Sequence, residues 1–324
     1  MAAKKLPAEY TYDLSEFTRV DPNLIHYEEA AAVETGMKEP RGIAVGPNDC
    51  LCVAGDKAFR IFSAEGKLHT IANTPTEPQA IAVDKKGKTY AAMKDQVIVF
   101  DIHEESVVVW QPMGEKAYLT SIAAGENDVF VADAGALAVL RYDAGGRLVN
   151  RITGRPALLS PPAASAGEGE PAPGAAADKA DDEGFIVPSP YFDVALAGKD
   201  RLWIVNPGRR RVELYTFDGS LLAHWGKASF KIEGFCGCCN PIHIAVLPGG
   251  HLVTSEKGLA RVKVYTPGGE LASVVAPPAA FAEGTTGLDV AADSRGRIWV
   301  LDPVARKVRL FTRKQTAPAL EPKA

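Results

Sequence analysis

The chain has 324 residues, of which 46% are hydrophobic and 23% are charged, with a formal net charge of -4. So small a net charge gives no bulk attraction to a polyanion, which argues against nucleic acid as a partner. No segment approaches the roughly 18 consecutive apolar residues of a membrane helix, and the start, MAAKKLPAEYTYDLSEF, lacks the apolar core of a secretion signal. We therefore expect no membrane span and a cytoplasmic protein, or a periplasmic one if the chain is a processed form.

A repeated unit organises most of the chain. Residues 1–23 are a predicted extension, and LIHYEE at 24–29 has strand character. Six units follow, each opening with an apolar residue and alanine, as in PRGIAV; they start near residues 40, 78, 119, 190, 241 and 287. Each unit continues with a β-rich run such as RLWIVNP and an aromatic-ended run such as VELY, and turn glycines then lead to a fourth apolar run. Four strands per unit at this period are typical of a propeller blade.

The sixth unit has only three strands before the polar tail at residues 315–324, which would leave one sheet edge open. We expect the strand at 24–29 to pair there and close the ring. The sequence therefore predicts an all-β fold, a single six-bladed β-propeller of four-stranded antiparallel blades over residues 24–314. Residues 155–188, rich in proline, alanine, glycine and acids, are predicted to be a disordered surface insertion.

The unit resembles the NHL repeat. It combines apolar-Ala, Gly-x-apolar-x-Val-Ala-Asp, apolar-x-apolar-aromatic and Gly-x-Leu motifs, and the third unit, IAAGENDVFVADAG, is a good example. Units one and two diverge, because Gly55 and Met93 stand where the second strand ends with a polar residue elsewhere. The GFCGCCNP segment is similar to one in uncharacterised bacterial NHL-repeat proteins. The resemblance implies a propeller of the kind that serves some families as metal-dependent lyases or lactonases and others as RNA- or protein-binding modules.

The segment EGFCGCCNPIH, which enters the fifth unit, carries the sharpest chemical signal. In a propeller the segments entering first strands lie on the same face as those joining second to third strands, so this segment should lie beside the central channel. Thiolates bind soft and borderline metals and iron–sulfur clusters. We predict one transition-metal ion or an iron–sulfur cluster held by Cys236, Cys238, Cys239 and His243. Redox thiols, a vicinal disulfide and simple loop packing are the alternatives.

The residue before each apolar-Ala pair should face the channel, and polar residues at this position concentrate in units four to six. Asp193 and Asp289 are therefore candidate catalytic acids or bases, or additional metal ligands. The alternative is that these carboxylates accept hydrogen bonds from loop amides. On the same face we predict a basic rim that binds a small anionic ligand or a protein partner, unless its charges are simply solvated. Its residues are Arg209, Arg210, Arg211, Lys257, Arg261, Arg306 and Lys307.

Other polar positions have simpler interpretations. Four residues end second strands in register and are predicted to cap turns, namely Asp133, Asn206, Glu256 and Asp302. Cys52 occupies a position that is aromatic in other units, which predicts the core, whereas Cys50 occupies one that is charged or histidine elsewhere, which predicts a turn near solvent.

These features predict a binding or scaffold propeller with a cysteine-rich metal or redox site on the face of units four to six, serving electron transfer with a partner. One alternative is a metal-dependent lyase, hydrolase or oxidoreductase acting on a small anionic substrate. Another is a purely structural protein-interaction module. No Walker, dinucleotide-binding, nucleophile-elbow or HExxH motif is present, so the sequence leaves enzymatic activity open.

Overall fold

The fold is a six-bladed β-propeller. The structure is a computed structural model that describes residues 15–154 and 184–320. These residues form six four-stranded antiparallel sheets. One short helix, α1 (Ser15–Thr18), precedes them, and short 3-10 turns occur at Pro22–Leu24, Pro47–Asp49, Pro207–Arg209 and Pro278–Ala280.

Five blades take their strands in chain order. Blade 1 contains β2 (Pro40–Val45), β3 (Leu51–Gly55), β4 (Ala58–Phe62) and β5 (Leu68–Asn73). Blade 2 contains β6 (Ala80–Val83), β7 (Thr89–Ala92), β8 (Val97–Asp101) and β9 (Ser106–Val109). Blade 3 contains β10 (Leu119–Ala124), β11 (Asp128–Asp133), β12 (Ala138–Asp143) and β13 (Leu148–Ile152). Blade 4 contains β14 (Val194–Leu196), β15 (Arg201–Asn206), β16 (Arg211–Thr216) and β17 (Leu221–Trp225). Blade 5 contains β18 (His243–Val246), β19 (Leu252–Glu256), β20 (Arg261–Tyr265) and β21 (Leu271–Ala276).

Blade 6 closes the ring as predicted. It contains β22 (Val290–Ala292), β23 (Ile298–Asp302) and β24 (Lys307–Arg313), and its outer strand is β1 (Tyr27–Glu34), from the other end of the chain. β1 runs antiparallel to β24, from Tyr27 opposite Arg313 to Glu34 opposite Lys307. The closing strand therefore starts later than the predicted 24–29 and extends five residues further. Its second half, AAAVE, has low intrinsic strand propensity, so the open edge of β24 rather than local sequence determines its extent.

The packing follows from the order of strands within each blade. The first strands of neighbouring blades contact each other all the way round the ring, so they surround the axis. Second strands are almost completely buried, whereas outer strands such as β9 and β17 are largely exposed. Each apolar cluster joins two adjacent blades: Cys52 and Phe59 of blade 1, for example, pack with Ile81 and Met93 of blade 2. Apolar burial between blades, not within one, therefore stabilises the disc. Cys52 lies in this core as predicted.

Two of the four predicted turn caps, Asp133 and Asp302, are confirmed. Asp133 Oδ1 accepts hydrogen bonds from the amides of Tyr118, Gly135 and Ala136 at 2.9–3.1 Å. The equivalent Asp302 Oδ1 accepts one from Ala305 N at 2.9 Å. These side chains fix the turns between second and third strands by bonding backbone donors.

The prediction of a turn cap is wrong for Asn206 and Glu256. Asn206 Oδ1 accepts a hydrogen bond from Ile186 N at 3.0 Å. The carboxylate of Glu256 binds Cys236 N, Arg261 and Lys263.

Most of the predicted insertion, residues 155–183, lies outside the described residues. The prediction of disorder is wrong for its last residues, because Phe185 is buried against the rings of Phe192 and Tyr215. Its amide donates a hydrogen bond to Thr153 O at 3.2 Å. This segment therefore packs between blades 3 and 4. No helix within residues 15–154 and 184–320 is long and apolar enough to cross a membrane.

Candidate functional site

The six first strands enclose a channel along the propeller axis with a cavity of about 320 Å³. A second cavity of about 280 Å³, here called the channel mouth, opens on the face where the chain enters those strands. Its walls include Tyr118, Tyr191, Pro190 and Pro303. His243 lines both cavities, so its imidazole lies at the boundary between the mouth and the channel.

Two carboxylates flank this imidazole. His243 Nδ1 is 3.3 Å from Asp193 Oδ2 and 3.4 Å from Asp289 Oδ1. The ring of Tyr191 packs edge-on against the imidazole with 5.7 Å between ring centroids. All three residues of the cluster occupy the first-strand position that the repeat register predicted to face the channel. Within the described part of the chain, His243 Nε2 has no hydrogen-bond partner.

The aspartates also link neighbouring blades. Asp193, in blade 4, accepts hydrogen bonds from Val194 N of its own blade and from Ile244 N of blade 5, both at 2.8 Å. Ser121 Oγ of blade 3 donates to Asp193 as well. Asp289, in blade 6, accepts hydrogen bonds from Ile43 N of blade 1 at 2.7 Å. The two carboxylates thus hold loop amides, as the simpler sequence interpretation predicted, and also face His243.

The surroundings of His243 and Asp289 shift the pKa of both groups. Burial by itself disfavours the imidazolium, but the charge of Asp289 and the hydrogen bond and charge of Asp193 outweigh it, so the pKa of His243 is raised. Burial raises the pKa of Asp289 to about 6, with the charge of His243 opposing and that of Asp193 adding to the shift. A buried imidazole and a buried carboxylate whose pKa values are both raised are suited to acid–base chemistry.

The three cysteines of the entry segment lie apart from this cluster. Cys236 is buried, its amide donates to Glu256 Oε2 at 2.9 Å, and its thiol contacts Lys257 O at 3.7 Å. Cys238 is exposed, Cys239 is buried, and their sulfur atoms are 3.4 Å apart. In residues 15–154 and 184–320, the possible metal ligands that lie close enough to share one ion are Asp193, His243 and Asp289. His243 therefore lies with the two aspartates and not with the cysteines. A cysteine-held metal or cluster stays a prediction.

Ionisation differs among these thiols. Burial raises the pKa of Cys236. Burial acts in the same direction on Cys239, but hydrogen bonds with Lys257, Ser189 and Cys238, together with the charge of Lys257, outweigh it and lower its pKa. Cys239 is therefore more readily ionised to a thiolate than Cys236.

A buried charge cluster beneath the entry segment was not predicted. Glu256, Arg261 and Lys263 are almost completely buried, and Glu256 Oε1 lies 2.7 Å from both Arg261 Nε and Lys263 Nζ. Arg261 and Lys263 also donate to Gly234 O, at 3.1 and 2.7 Å. The cluster thus fixes the backbone that leads into the cysteines. The signal in the sequence was a pair of basic residues, Arg261 and Lys263, at alternate positions of a third strand, where both side chains lie on the same face of the sheet.

The predicted basic rim is only partly an exposed charged surface. Arg261 is 1% exposed, so its assignment to the rim is wrong. Arg211 pairs with Glu213 at 2.6 Å, and Lys307 pairs with Glu34 at 2.9 Å, which offsets both charges. Lys257 does lie beside the mouth, with its ammonium 4.9 Å from the ring centroid of Tyr191.

The remaining rim arginines lie at turns. Arg209 Nε donates to Gly184 O at 3.3 Å. Arg210 and Arg306 adopt positive φ angles of 54° and 59°. They occupy equivalent turns between second and third strands, consistent with their predicted place on this face.

The fold and this site define a six-bladed propeller with a polar cluster at the mouth of its channel. Searches with protein-family models and against curated proteins gave no match. Solved structures do resemble it. Virginiamycin B lyase from Staphylococcus aureus is 11% identical, with 89% of this chain and 100% of that chain covered and a TM-score of 0.55. The WD40 propeller domain of Doa1 is 12% identical, with 90% and 98% covered and a TM-score of 0.57.

A third similar structure is a catalytically inactive histidine-to-alanine variant of the Staphylococcus aureus lyase with quinupristin. It is 13% identical, with 89% of this chain and 99% of that chain covered and a TM-score of 0.56. Identities this low establish the propeller fold and nothing finer, and membership of the NHL-repeat family stays a prediction.

Proposed function

We propose that the channel mouth binds a small polar molecule and that Asp193, His243 and Asp289 act on it by acid–base chemistry. One observation carries the proposal: both carboxylates approach the same nitrogen of His243, at 3.3 and 3.4 Å, while the ring lies where two cavities meet. Carboxylates at Nδ1 favour a proton on that atom. Nε2 then serves as a base when the ring is neutral and as an acid when it is charged.

The walls of the mouth favour a partly apolar molecule. Tyr118, Tyr191 and the prolines supply flat apolar surface, and Gln79 and Thr286 supply polar groups. Arg41 also lines the mouth, but it pairs with Glu39 at 3.2 Å and Glu77 at 3.0 Å. It is therefore a weaker anion-binding group than an unpaired arginine would be, so a net negative charge on the substrate is not required.

The similar lyase structure supports a test of lyase chemistry. A histidine-to-alanine variant of that enzyme is inactive and was solved with quinupristin. We therefore use quinupristin, with a set of simple lactones and esters, as the first probes. The readouts are product formation by mass spectrometry and the ring signals of His243 by NMR.

His243→Ala and Asp289→Asn are the test variants, and His224→Ala, on the outer strand of blade 4, is the control. We expect at least one probe to shift the His243 ring signals and to be converted by the wild type and the control, with conversion reduced at least about 100-fold in His243→Ala, the usual scale of a general acid or base. Circular dichroism checks that each variant folds. If no probe shifts the ring signals, or if His243→Ala converts a probe at the wild-type rate, the proposal fails.

A divalent metal at the same three residues is the second candidate. Two ligands at about 2.1 Å from a tetrahedral zinc ion lie about 3.4 Å apart, which matches the 3.3 and 3.4 Å from His243 Nδ1 to the two carboxylates. The cluster would then serve a metal-dependent lyase or hydrolase. Elemental analysis decides between the candidates: one equivalent of metal that is lost in His243→Ala supports the metal enzyme and contradicts unaided acid–base catalysis.

We also propose, from the repeat motifs and the cysteine segment, that the blades are NHL-type repeats and that the cysteines hold a metal or serve electron transfer with a partner. The 3.4 Å contact between Cys238 and Cys239 and the lowered pKa of Cys239 support a reactive thiol pair. An absorption spectrum and metal content of anaerobically purified protein test this. A metal or cluster lost in Cys239→Ser but retained in His243→Ala would place the centre at the cysteines.

A further inference from the structure

A third cavity lies on the face of the disc opposite the channel mouth. It has a volume of about 670 Å³ and lies between blades 1 and 2. Its walls come from the segments that join first to second strands and third to fourth strands, at residues 47–52, 61–70, 83–89 and 102–103. The segments that enter first strands, and hence the channel mouth, lie on the other face. Whatever this cavity binds is therefore independent of the proposed function.

Cys50 lies in the wall of this cavity and is partly exposed, with the buried Cys52 beside it. The turn that carries Cys50 is closely fixed. Gly46 N donates to Cys50 O at 2.9 Å, and Asp49, at the positive φ of 56°, accepts hydrogen bonds from both the amide and the hydroxyl of Ser294 in blade 6. A non-glycine residue in the left-handed region is strained, and such strain is tolerated where surrounding bonds enforce it.

The sulfur of Cys50 packs directly against Gly46. A β-carbon added to Gly46 would lie 2.9 Å from Cys50 Sγ, closer than real contacts of this kind. The Cys52 thiol hydrogen-bonds to the Cys50 sulfur and, with nearby amides, lowers the pKa of Cys50 to about 7, against burial and the charge of Asp49. The same interaction and its own burial raise the pKa of Cys52. These shifts favour the thiolate form at Cys50 and the protonated thiol at Cys52.

Basic side chains predominate around the cavity. Lys85, Lys86, His69 and His103 line it, and Glu65 is the acidic residue among its lining groups. The lysines are exposed at the rim, so they offer cationic partners to an anion that reaches Cys50.

Thr89 supplies a further, independent sign of a ligand. It is completely buried, it lines the cavity, and within the described residues its hydroxyl has no hydrogen-bond partner. An unpaired buried hydroxyl costs roughly 1–3 kcal/mol. A polar group of a bound molecule would remove this cost.

We propose that this cavity is a thiol-modification site in which Cys50 forms a mixed disulfide with a small carboxylate-bearing disulfide of the glutathione type. The Cys50 thiolate attacks one sulfur of the small disulfide; its S–S bond breaks, a new S–S bond joins that sulfur to Cys50, and the other half leaves as a thiolate with the bonding electron pair. The small disulfide is the oxidant, so no further reagent is needed.

The surrounding residues have separate roles in this reaction. Lys85 and Lys86 bind the carboxylates, and the Thr89 hydroxyl bonds a polar group of the adduct. Cys52 is completely buried, and burial disfavours the thiolate form that would be needed to attack the mixed disulfide. The mixed disulfide therefore persists instead of resolving into a Cys50–Cys52 bond.

The test is reaction of the folded protein with glutathione disulfide at neutral pH, followed by intact-mass and peptide mass spectrometry. We expect one glutathionyl group on Cys50, formed faster than on Cys238, the exposed cysteine. Cys50→Ser abolishes that adduct. Adduct formation first at Cys238, or none at Cys50, overturns the proposal.

Charge and thiol reactivity are separated with a second reagent. The double substitution Lys85→Ala and Lys86→Ala should slow reaction of Cys50 with glutathione disulfide roughly five-fold, the scale of exposed charge pairs. It should leave reaction with neutral iodoacetamide unchanged. Lys94→Ala, in the same blade on the other face, is the matched control and should match the wild type with both reagents. Equal slowing with both reagents, or no slowing with glutathione disulfide, contradicts anion binding in the cavity.

Discussion

Removing the carboxylate of Glu256 should destabilise the propeller more than the loss of any exposed acid. Glu256 is completely buried and lies 2.7 Å from both Arg261 and Lys263, which are themselves almost completely buried. In Glu256→Ala these two cations lose their counter-ion, and the buried amide of Cys236 loses its 2.9 Å acceptor. Breaking a buried ion pair by removing one partner costs about 3–5 kcal/mol.

The magnitude is easily measured. We expect a loss of about 4 kcal/mol in the free energy of urea unfolding, equivalent to a fall in Tm of about 6 °C for a domain of this size. Glu34→Ala is the matched control, because Glu34 pairs with Lys307 at 2.9 Å but its side chain is 72% exposed. Exposed pairs contribute under about 1 kcal/mol. If the two variants lose similar stability, the charges at Glu256 are hydrated and the reasoning is refuted.

Two further predictions concern Lys263 and Gly135. Burial lowers the pKa of Lys263 to about 8, although Glu256 favours its charged form. Between about pH 8 and the unfolded pKa of about 10.4, the unfolded chain binds more protons at Lys263 than the folded chain does. The free energy of urea unfolding of the wild type, measured relative to Lys263→Met, should therefore rise with pH across this range. A difference that does not change with pH contradicts this prediction. A β-carbon on Gly135 would lie 1.9 Å from Lys116 O, so Gly135→Ala should cost about 1–3 kcal/mol in thermal unfolding. Gly268→Ala, with no atom nearer than 3.8 Å, should cost little, and equal losses would contradict the steric argument.

The architecture was readable from sequence because it repeats. The apolar-Ala pair and the strand that follows recur in six copies, so an ambiguous run, such as the divergent second strand that ends just before Met93, is assigned by its register. The closing strand β1 has no copy to compare with, and its alanines and glutamates favour other conformations. Its bounds depend on pairing with β24, which is a contact between the two ends of the chain and leaves no local signal.

The candidate site was predicted in part for the same reason. Register placed Asp193, His243 and Asp289 at equivalent positions around the channel, and the structure brings these three together. The cysteine segment was different, because one copy of a motif gives no register. The direction of the Cys236 side chain, towards the channel or into the blade, depends on Glu256 and on the two cations that pair with Glu256. These three residues come from strands that follow Cys236 in the chain. Side-chain direction in a unique segment is a tertiary property.

His243 differs from its neighbours at the same register position. Ser121 approaches Val194 N of the next blade, Asp193 bonds Ile244 N, and Asp289 bonds Ile43 N, so each of these side chains links its blade to the following one. His243 bonds no backbone amide within the described residues; its contacts are the two carboxylates and Tyr191. Blades 1 and 2 have Gly42 and Ala80 here, which shows that the ring closes without a side-chain link at every position. His243 does link blade 5 to blades 4 and 6 through these carboxylates, but it is also a protonatable ring at the junction of two cavities. That position is the observation on which the proposed acid–base or metal chemistry rests.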